Sequence, residues 1–173
     1  MNAQIPEFHE LIAATQRSAI HLEMRDTYTP SSARFRAWQR GEREDPADRE
    51  TWWMPFHTTV ADAVARGVQF RRARIVSEPV TDYIRFEYDV TFSNIVAGEQ
   101  VGWLPRRRAS DLALPGNDFW VFDERLVRFG YFAGDGEFLC HELTEESATV
   151  KLCVSAFEAV WERAIPHEDY RPS

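Results

Sequence analysis

Apolar residues fall on every second position at Ile20, Leu22 and Met24, with polar neighbours between them, which predicts a strand over residues 19–26. On either side the period lengthens to that of a helix. Ile5, Phe8, Leu11 and Ile12 share one side of a helix within residues 1–17. Thr29-Pro30-Ser31-Ser32 is a break, Ser32 is placed to cap a short helix carrying Phe35 and Trp38, and residues 41–48 form a charged loop. Trp52, Phe56, Val60 and Val64 then recur every four residues, which predicts a helix from about 49 to 66 with Gly67 as its stop.

Alternation returns at Phe70, Arg72, Arg74 and Val76, which face opposite to Gln69, Arg71, Ala73 and Ile75 in a second strand. Arginine on both faces of an interior strand requires a partner or water for each guanidinium. Ser77-Glu78-Pro79 closes the strand. Pro79 suits the first turn of a following helix, whose apolar stripe is Val80, Ile84, Tyr88 and Phe92. Spacings of three and four set Arg85 between Asp82 and Asp89. Ala97-Gly98-Glu99 ends that helix, and a short strand, Val101-Gly102-Trp103-Leu104-Pro105, follows.

The remaining segments read as Phe119-Trp120-Val121-Phe122, then 126–132, then a hairpin at Ala133-Gly134-Asp135-Gly136 and a return strand over 137–143. Val150, Val154, Phe157 and Trp161 mark a last helix ending near Pro166, and residues 167–173 are expected to fray. The fold class predicted is α/β with a mixed central sheet, in one domain over residues 1–173. Parallel β-α-β units come first, an antiparallel three-strand meander follows, and helices lie on both faces.

Composition narrows the function classes. A hydrophobic content of 44% and an aromatic content of 13% exclude a disordered chain. No apolar run approaches the ~20 residues that span a bilayer, and MNAQIPEFHE lacks the basic and apolar blocks of a signal peptide. Cys140 and Cys153 form neither a disulfide framework nor a metal spacing, so a cytoplasmic location is expected. A formal net charge of −8 argues against nucleic acid and membrane as direct partners. Lys151 is the only lysine among 20 basic side chains. A high-GC genome accounts for that bias, and so would a need for forked pairing with carboxylates or phosphates.

Two resemblances add to this. The strings Ser77-Glu78-Pro79, Asp82-Tyr83-Ile84-Arg85-Phe86-Glu87, Trp103-Leu104-Pro105-Arg106-Arg107 and Asp118-Phe119-Trp120-Val121-Phe122-Asp123 together resemble an actinobacterial family of unknown function. Its members are often found beside a helix-turn-helix regulator. The order of elements is also similar to half of a phospholipase-D-like domain, degenerate copies of which serve as ligand sensors in some transcription regulators. Active members of that superfamily require His-x-Lys. Here Lys151 follows Ala148-Thr149-Val150 with no histidine in place, so the resemblance implies the fold without the phosphodiesterase chemistry.

Candidate chemistry is sparse. His141-Glu142-Leu143-Thr144-Glu145 begins like a zinc-protease helix but has Glu145 where the second histidine is required. Cys140 and His141 are neighbours on a strand and point to opposite faces, so they form no thiolate pair. No cofactor motif is present. The corner after the second strand is better placed. Ser77 and Glu78 either cap a helix or receive a hydroxyl, an amine or an arginine there. Tyr83 and Arg85 lie within two turns of it. Arg106, Arg107 and Arg108 with Arg71, Arg72 and Arg74 form either a solvated charge run or a local patch for a phosphate-bearing ligand.

The candidate ligand-binding set is therefore Ser77, Glu78, Tyr83, Arg85, Trp103, Arg106 and Asp118, with no catalytic and no metal-ligating residue assigned. The reading this favours is a non-catalytic regulatory or ligand-binding module. Its expected partners are a helix-turn-helix regulator or a second copy of the chain, and its ligand a small polar or phosphate-bearing molecule. The alternatives are an enzyme acting on a small polar metabolite or nucleotide through Glu78, Tyr83, Arg85 and Asp118, and one member of a toxin–antitoxin pair.

Overall fold

The computed structural model describes residues 6–173. Ile5, which the sequence pattern assigns to the first helix, lies outside them. One seven-stranded sheet organises the chain in the order β6-β5-β4-β1-β2-β3-β7. Strands β1 (Ser18–Glu23), β2 (Gln69–Val76) and β3 (Gln100–Pro105) are parallel. Strand β4 (Phe119–Phe122) returns antiparallel beside β1, and β5 (Leu126–Phe132) and β6 (Phe138–Thr144) complete the predicted meander. A two-residue strand that the sequence did not suggest, β7 (Ile165–Pro166), closes the other edge against β3.

The parity of the strands decides which layer each side chain joins. Ile20, Leu22, Ala73, Ile75, Leu104, Phe119 and Val121 point to one face, where the last helix, Ser147–Arg163, buries Val150, Cys153, Phe157 and Val160 against them. Full burial of a side chain such as Phe157 or Leu22 contributes about 1.5–3 kcal/mol. Ala19 and Phe70 point the other way, into a second cluster with Leu11 and Ile12 of α1 (Phe8–Ala14) and Val60 and Ala63 of the helix Pro55–Ala65. His21, Glu23, Arg72 and Arg74 share that parity, so this face turns polar toward the carboxyl ends of β1 and β2.

Local chemistry explains where the helices depart from expectation. The predicted helix over 49–66 is two: α3 (Arg49–Trp52) and α4 (Pro55–Ala65), following the short α2 (Ala33–Gln39) that Ser32 caps as expected. Pro55 brings no N–H and drives Met54 into an extended conformation, which breaks the run while the apolar spacing continues through it. Gly67, at φ +94°, stops α4 in the left-handed region that glycine tolerates.

Pro79 does not open the next helix. Its peptide bond with Glu78 is cis, and α5 (Asp82–Val90) starts three residues later, with the Thr81 hydroxyl accepting from the Ile84 amide. The stripe is also divided: Ile84 and Tyr88 lie on α5, whereas Phe92 opens α6 (Phe92–Ala97) and packs on Trp52.

The first strand is shorter than predicted, ending at Glu23. The last helix, α7 (Ser147–Arg163), ends before Ala164. Residues 167–173 do not fray. Tyr170 is 2% exposed and stacks on Trp103 at 5.3 Å, and the carbonyl of Ser173 accepts from the Val80 amide. Burial of one aromatic ring supplies what a purely polar tail would lack.

Candidate functional site

Glu23 is the centre of a buried ion cluster on the polar face. Its Oε1 accepts from Arg72 at 3.0 Å and its Oε2 from Arg74 at 2.5 Å. Arg72 reaches on to Glu99 at 3.1 Å, and Arg74 to Glu87 at 2.7 Å and to the Thr91 hydroxyl at 2.6 Å. Each guanidinium fork thus bridges two carboxylates, a geometry that an ammonium group does not reproduce. Burial works against charge on Glu23, but Arg74 and Arg72 overcome it and hold its carboxyl well below the usual range. Arg74 is held protonated in the same way, with Glu23 and Glu87 outweighing its burial.

Beside this cluster lies a cavity of about 140 Å³. It sits where the strand order reverses, at the carboxyl end of β1 and the start of β4, the position at which open α/β sheets leave a crevice. Its lining comes from strands and one loop: His21 and Glu23 of β1, Tyr28 of the loop after β1, Asp118 and Trp120 at β4, Arg128, Gly130 and Phe132 of β5, and His141 of β6. The register explains the grouping. His21 is paired with Trp120, Trp120 with Arg128, and Gly130 with His141. Gly130 leaves the opening, since a Cβ there would stand 3.3 Å from Phe132 and 3.8 Å from the His141 ring.

The polar groups of the cavity are unevenly satisfied. Asp118 accepts from the Met24 amide at 2.9 Å and from the Tyr28 hydroxyl. Burial nevertheless pushes its carboxyl up to about 6. The same burial, reinforced by Asp118, pushes the Tyr28 phenol up. Burial keeps His21 neutral, stacked on Trp120 at 4.1 Å, and its Nδ1 has no hydrogen-bond partner. His141 is lowered by burial, with Arg128 adding to the effect. Among the described residues the Arg128 guanidinium has no acceptor, and its buried Nε is unpaired. Burial weakens its hold on the proton, and the Glu7 carboxylate partly offsets that.

The residues expected to bind a ligand are distributed around this cavity, and only Asp118 lines it. Ser77 and Arg106 do come together. The Arg106 Nε donates to the Ser77 hydroxyl at 2.9 Å, and Ser77 donates from its amide and hydroxyl to Asp26. Arg106 also donates to the Met24 carbonyl at 2.6 Å, so the corner closes on the loop after β1. Glu78 accepts from the Tyr170 hydroxyl at 2.9 Å, and Trp103 lies fully buried between Tyr170 and Arg74. Tyr83 is buried against Phe35 and Phe86, 6.1 Å from the Tyr28 ring, and burial with Glu87 pushes its phenol up.

Arg85 is exposed and, among the described residues, forms no ion pair. Asp89 turns instead to the Trp38 indole and Arg43. Nor do the arginines form one patch. Arg72 and Arg74 are internal, Arg71 pairs with Glu158 on the opposite face, and Arg108 donates to the Arg163 carbonyl. Among the described residues no group of three or more His, Cys, Asp and Glu is arranged to hold a metal ion.

Sequence reasoning passed over His21, Glu23, Tyr28 and Arg128. In isolation His21 and Glu23 alternate with Ile20 and Leu22 like a solvent face. The usable signal was opposite charge at one parity of two strands, Glu23 against Arg72 and Arg74, which a buried pairing requires.

The architecture places the molecule among mixed α/β proteins with an interior ion cluster and a small polar crevice at the strand reversal. Within that class, the chain belongs to the family described as a domain of unknown function, DUF6879, whose model matches residues 6–172. No curated protein matches it.

Among solved structures it is similar to NucT from Helicobacter pylori, at 11% identity and a TM-score of 0.50, covering 91% of this chain and 87% of that one. It is also similar to Nuc, a phospholipase D family member from Salmonella typhimurium (12% identity, TM-score 0.49, coverage 94% and 88%). A third likeness is to TrmBL2, an archaeal chromatin protein (12% identity, TM-score 0.46). This chain is 90% covered there and spans 47% of that chain's length. At 11% identity the likeness to NucT bears on fold alone. No helix among the described residues is long and apolar enough to cross a membrane.

Proposed function

We propose that the chain is a non-catalytic ligand-binding and regulatory module, and that its ligand occupies the cavity between β1, β4, β5 and β6. The observation that carries this reading is the contrast within one face. The neighbouring ion cluster pairs its carboxylates and guanidinium forks internally, leaving only the Arg72 Nε unbonded, whereas the cavity is lined by a half-buried Arg128 that bonds to nothing among the described residues and by a buried His21 nitrogen without a partner. Unpaired buried polar groups are costly unless something completes them. The volume is below that of pockets for drug-sized molecules, so the occupant is small.

Occupancy has a route outward in this reading. Tyr28 lines the cavity and donates to Asp118, and its loop also receives Ser77, Thr81 and Arg106. The partner it would inform is the helix-turn-helix regulator expected from the first resemblance.

Thermal-shift screening of the protein against a fractionated metabolite extract tests the ligand. Stabilisation of the wild type that disappears in Gly130→Val, whose side chain enters the cavity, supports the reading. Equal stabilisation of both proteins refutes it.

A second reading is an enzyme acting on a small polar metabolite. It draws on Asp118, whose carboxyl near 6 is poised for proton transfer beside two neutral histidines. Turnover of a metabolite pool that Asp118→Asn abolishes would establish it over the binding module.

A further inference from the structure

Resting on the same cavity, the arrangement of its unpaired groups restricts the chemistry of what enters. Arg128 offers a planar fork with no acceptor, from the strand next to Trp120. A carboxylate matches that fork with two parallel hydrogen bonds. Phosphate is a poorer match. The lining already contains the carboxylates of Glu23 and Asp118, and a dianion would face both with a single unpaired guanidinium in return.

At the other side, the Asp118 oxygens each take one protein donor, from Met24 and Tyr28, and each retains acceptor capacity. A hydroxyl or amino group completes them. Trp120 and Phe132 wall the space between, with the His21 Nδ1 as a further polar point. The cavity's 140 Å³ corresponds to about five water molecules, which is room for an acid of about five to seven non-hydrogen atoms.

We propose that the cavity binds a small carboxylic acid bearing a hydroxyl or amino group, with Arg128 clasping the carboxylate and Asp118 accepting from the second group. Isothermal titration with glycolate, lactate, glycine, acetate and inorganic phosphate tests this at neutral pH. At least one of the three bifunctional acids binds ten-fold or more tighter than acetate. Arg128→Gln weakens it at least ten-fold, and Asp118→Asn removes most of its advantage over acetate. Unchanged near-ultraviolet circular dichroism shows that each variant is folded, and Arg128→Lys, which keeps charge but loses the fork, gives an intermediate loss.

The proposal is overturned if phosphate binds as well as the acids do, if acetate equals them, if none of the acids binds, or if Arg128→Gln leaves affinity unchanged. The broader reading fails separately. Only an extract ligand whose binding ignores Gly130→Val would remove the cavity itself.

Discussion

Arg74 and Arg128 project from the same face of one sheet, three strands apart, and their surroundings are opposite. Arg74 is enclosed by Glu23, Glu87 and Thr91, with Trp103 under its plane at 4.9 Å. Arg128 lies over Phe8 at 5.6 Å and finds no acceptor among the described residues. Arg74 is fully buried and Arg128 half-buried, and only the first is compensated inside the protein. A polar interior is therefore not by itself the mark of a binding site. The informative quantity is how many of its donors and acceptors the fold has left unmatched.

Substitution should separate the two regions by energy. Arg74→Leu strips Glu23 and Glu87 of their shared cation and should cost about 3–5 kcal/mol in urea unfolding. A loss below about 1 kcal/mol would mean that water replaces it.

Next in size is the pH response of Asp118. Its folded carboxyl, near 6, holds a proton more tightly than the unfolded one at 3.8. Its favourable contribution is complete below the unfolded value and is lost as pH rises through the folded one, a fall on the order of 3 kcal/mol. Asp118→Asn removes that fall, so the stability of the variant relative to wild type should climb across this window. A flat difference in urea midpoints between pH 4 and pH 8 would contradict the assignment. The depressed Glu23 carboxyl acts with the opposite sign, losing stability as pH falls below its unfolded value of 4.5, and it cancels in the comparison.

Arg74→Lys keeps the charge without the fork and should lose about 1–2 kcal/mol, between the leucine variant and wild type. Smallest of all, Arg128→Met should shift stability by no more than about 0.5 kcal/mol, or raise it, because the side chain removed is an unpaired one. A cost near that of Arg74→Leu would show that Arg128 has a structural partner.

The alternating and helical periods were legible where packing alone sets them, in β1, β2, the meander and α7. The breaks were less so. Trp52, Phe56 and Val60 keep a continuous stripe across Pro55, so the apolar rhythm concealed the interruption and proline alone disclosed it. Tyr170 looked like part of a polar tail because its partner Trp103 is 67 positions away in sequence (170 − 103).

The candidate site was hidden for a related reason. Asp118 was singled out from the end of its strand, but His21, Tyr28, Arg128 and His141 come together only after β4 inserts beside β1, and no local pattern encodes that insertion. Ser77 and Arg106 were expected from sequence to line an open pocket with Asp118; they bond to each other instead, and their remaining bonds are taken by Asp26 and Met24.

Glu23's two forked neighbours also bear on the near-absence of lysine. Mutational drift toward other codons would leave much of the molecular exterior free to exchange one cation for another. At positions 72 and 74 that freedom ends, since a tetrahedral ammonium on a flexible stem spans two separated acids poorly. Those sites should stay arginine in any genome that keeps this interior.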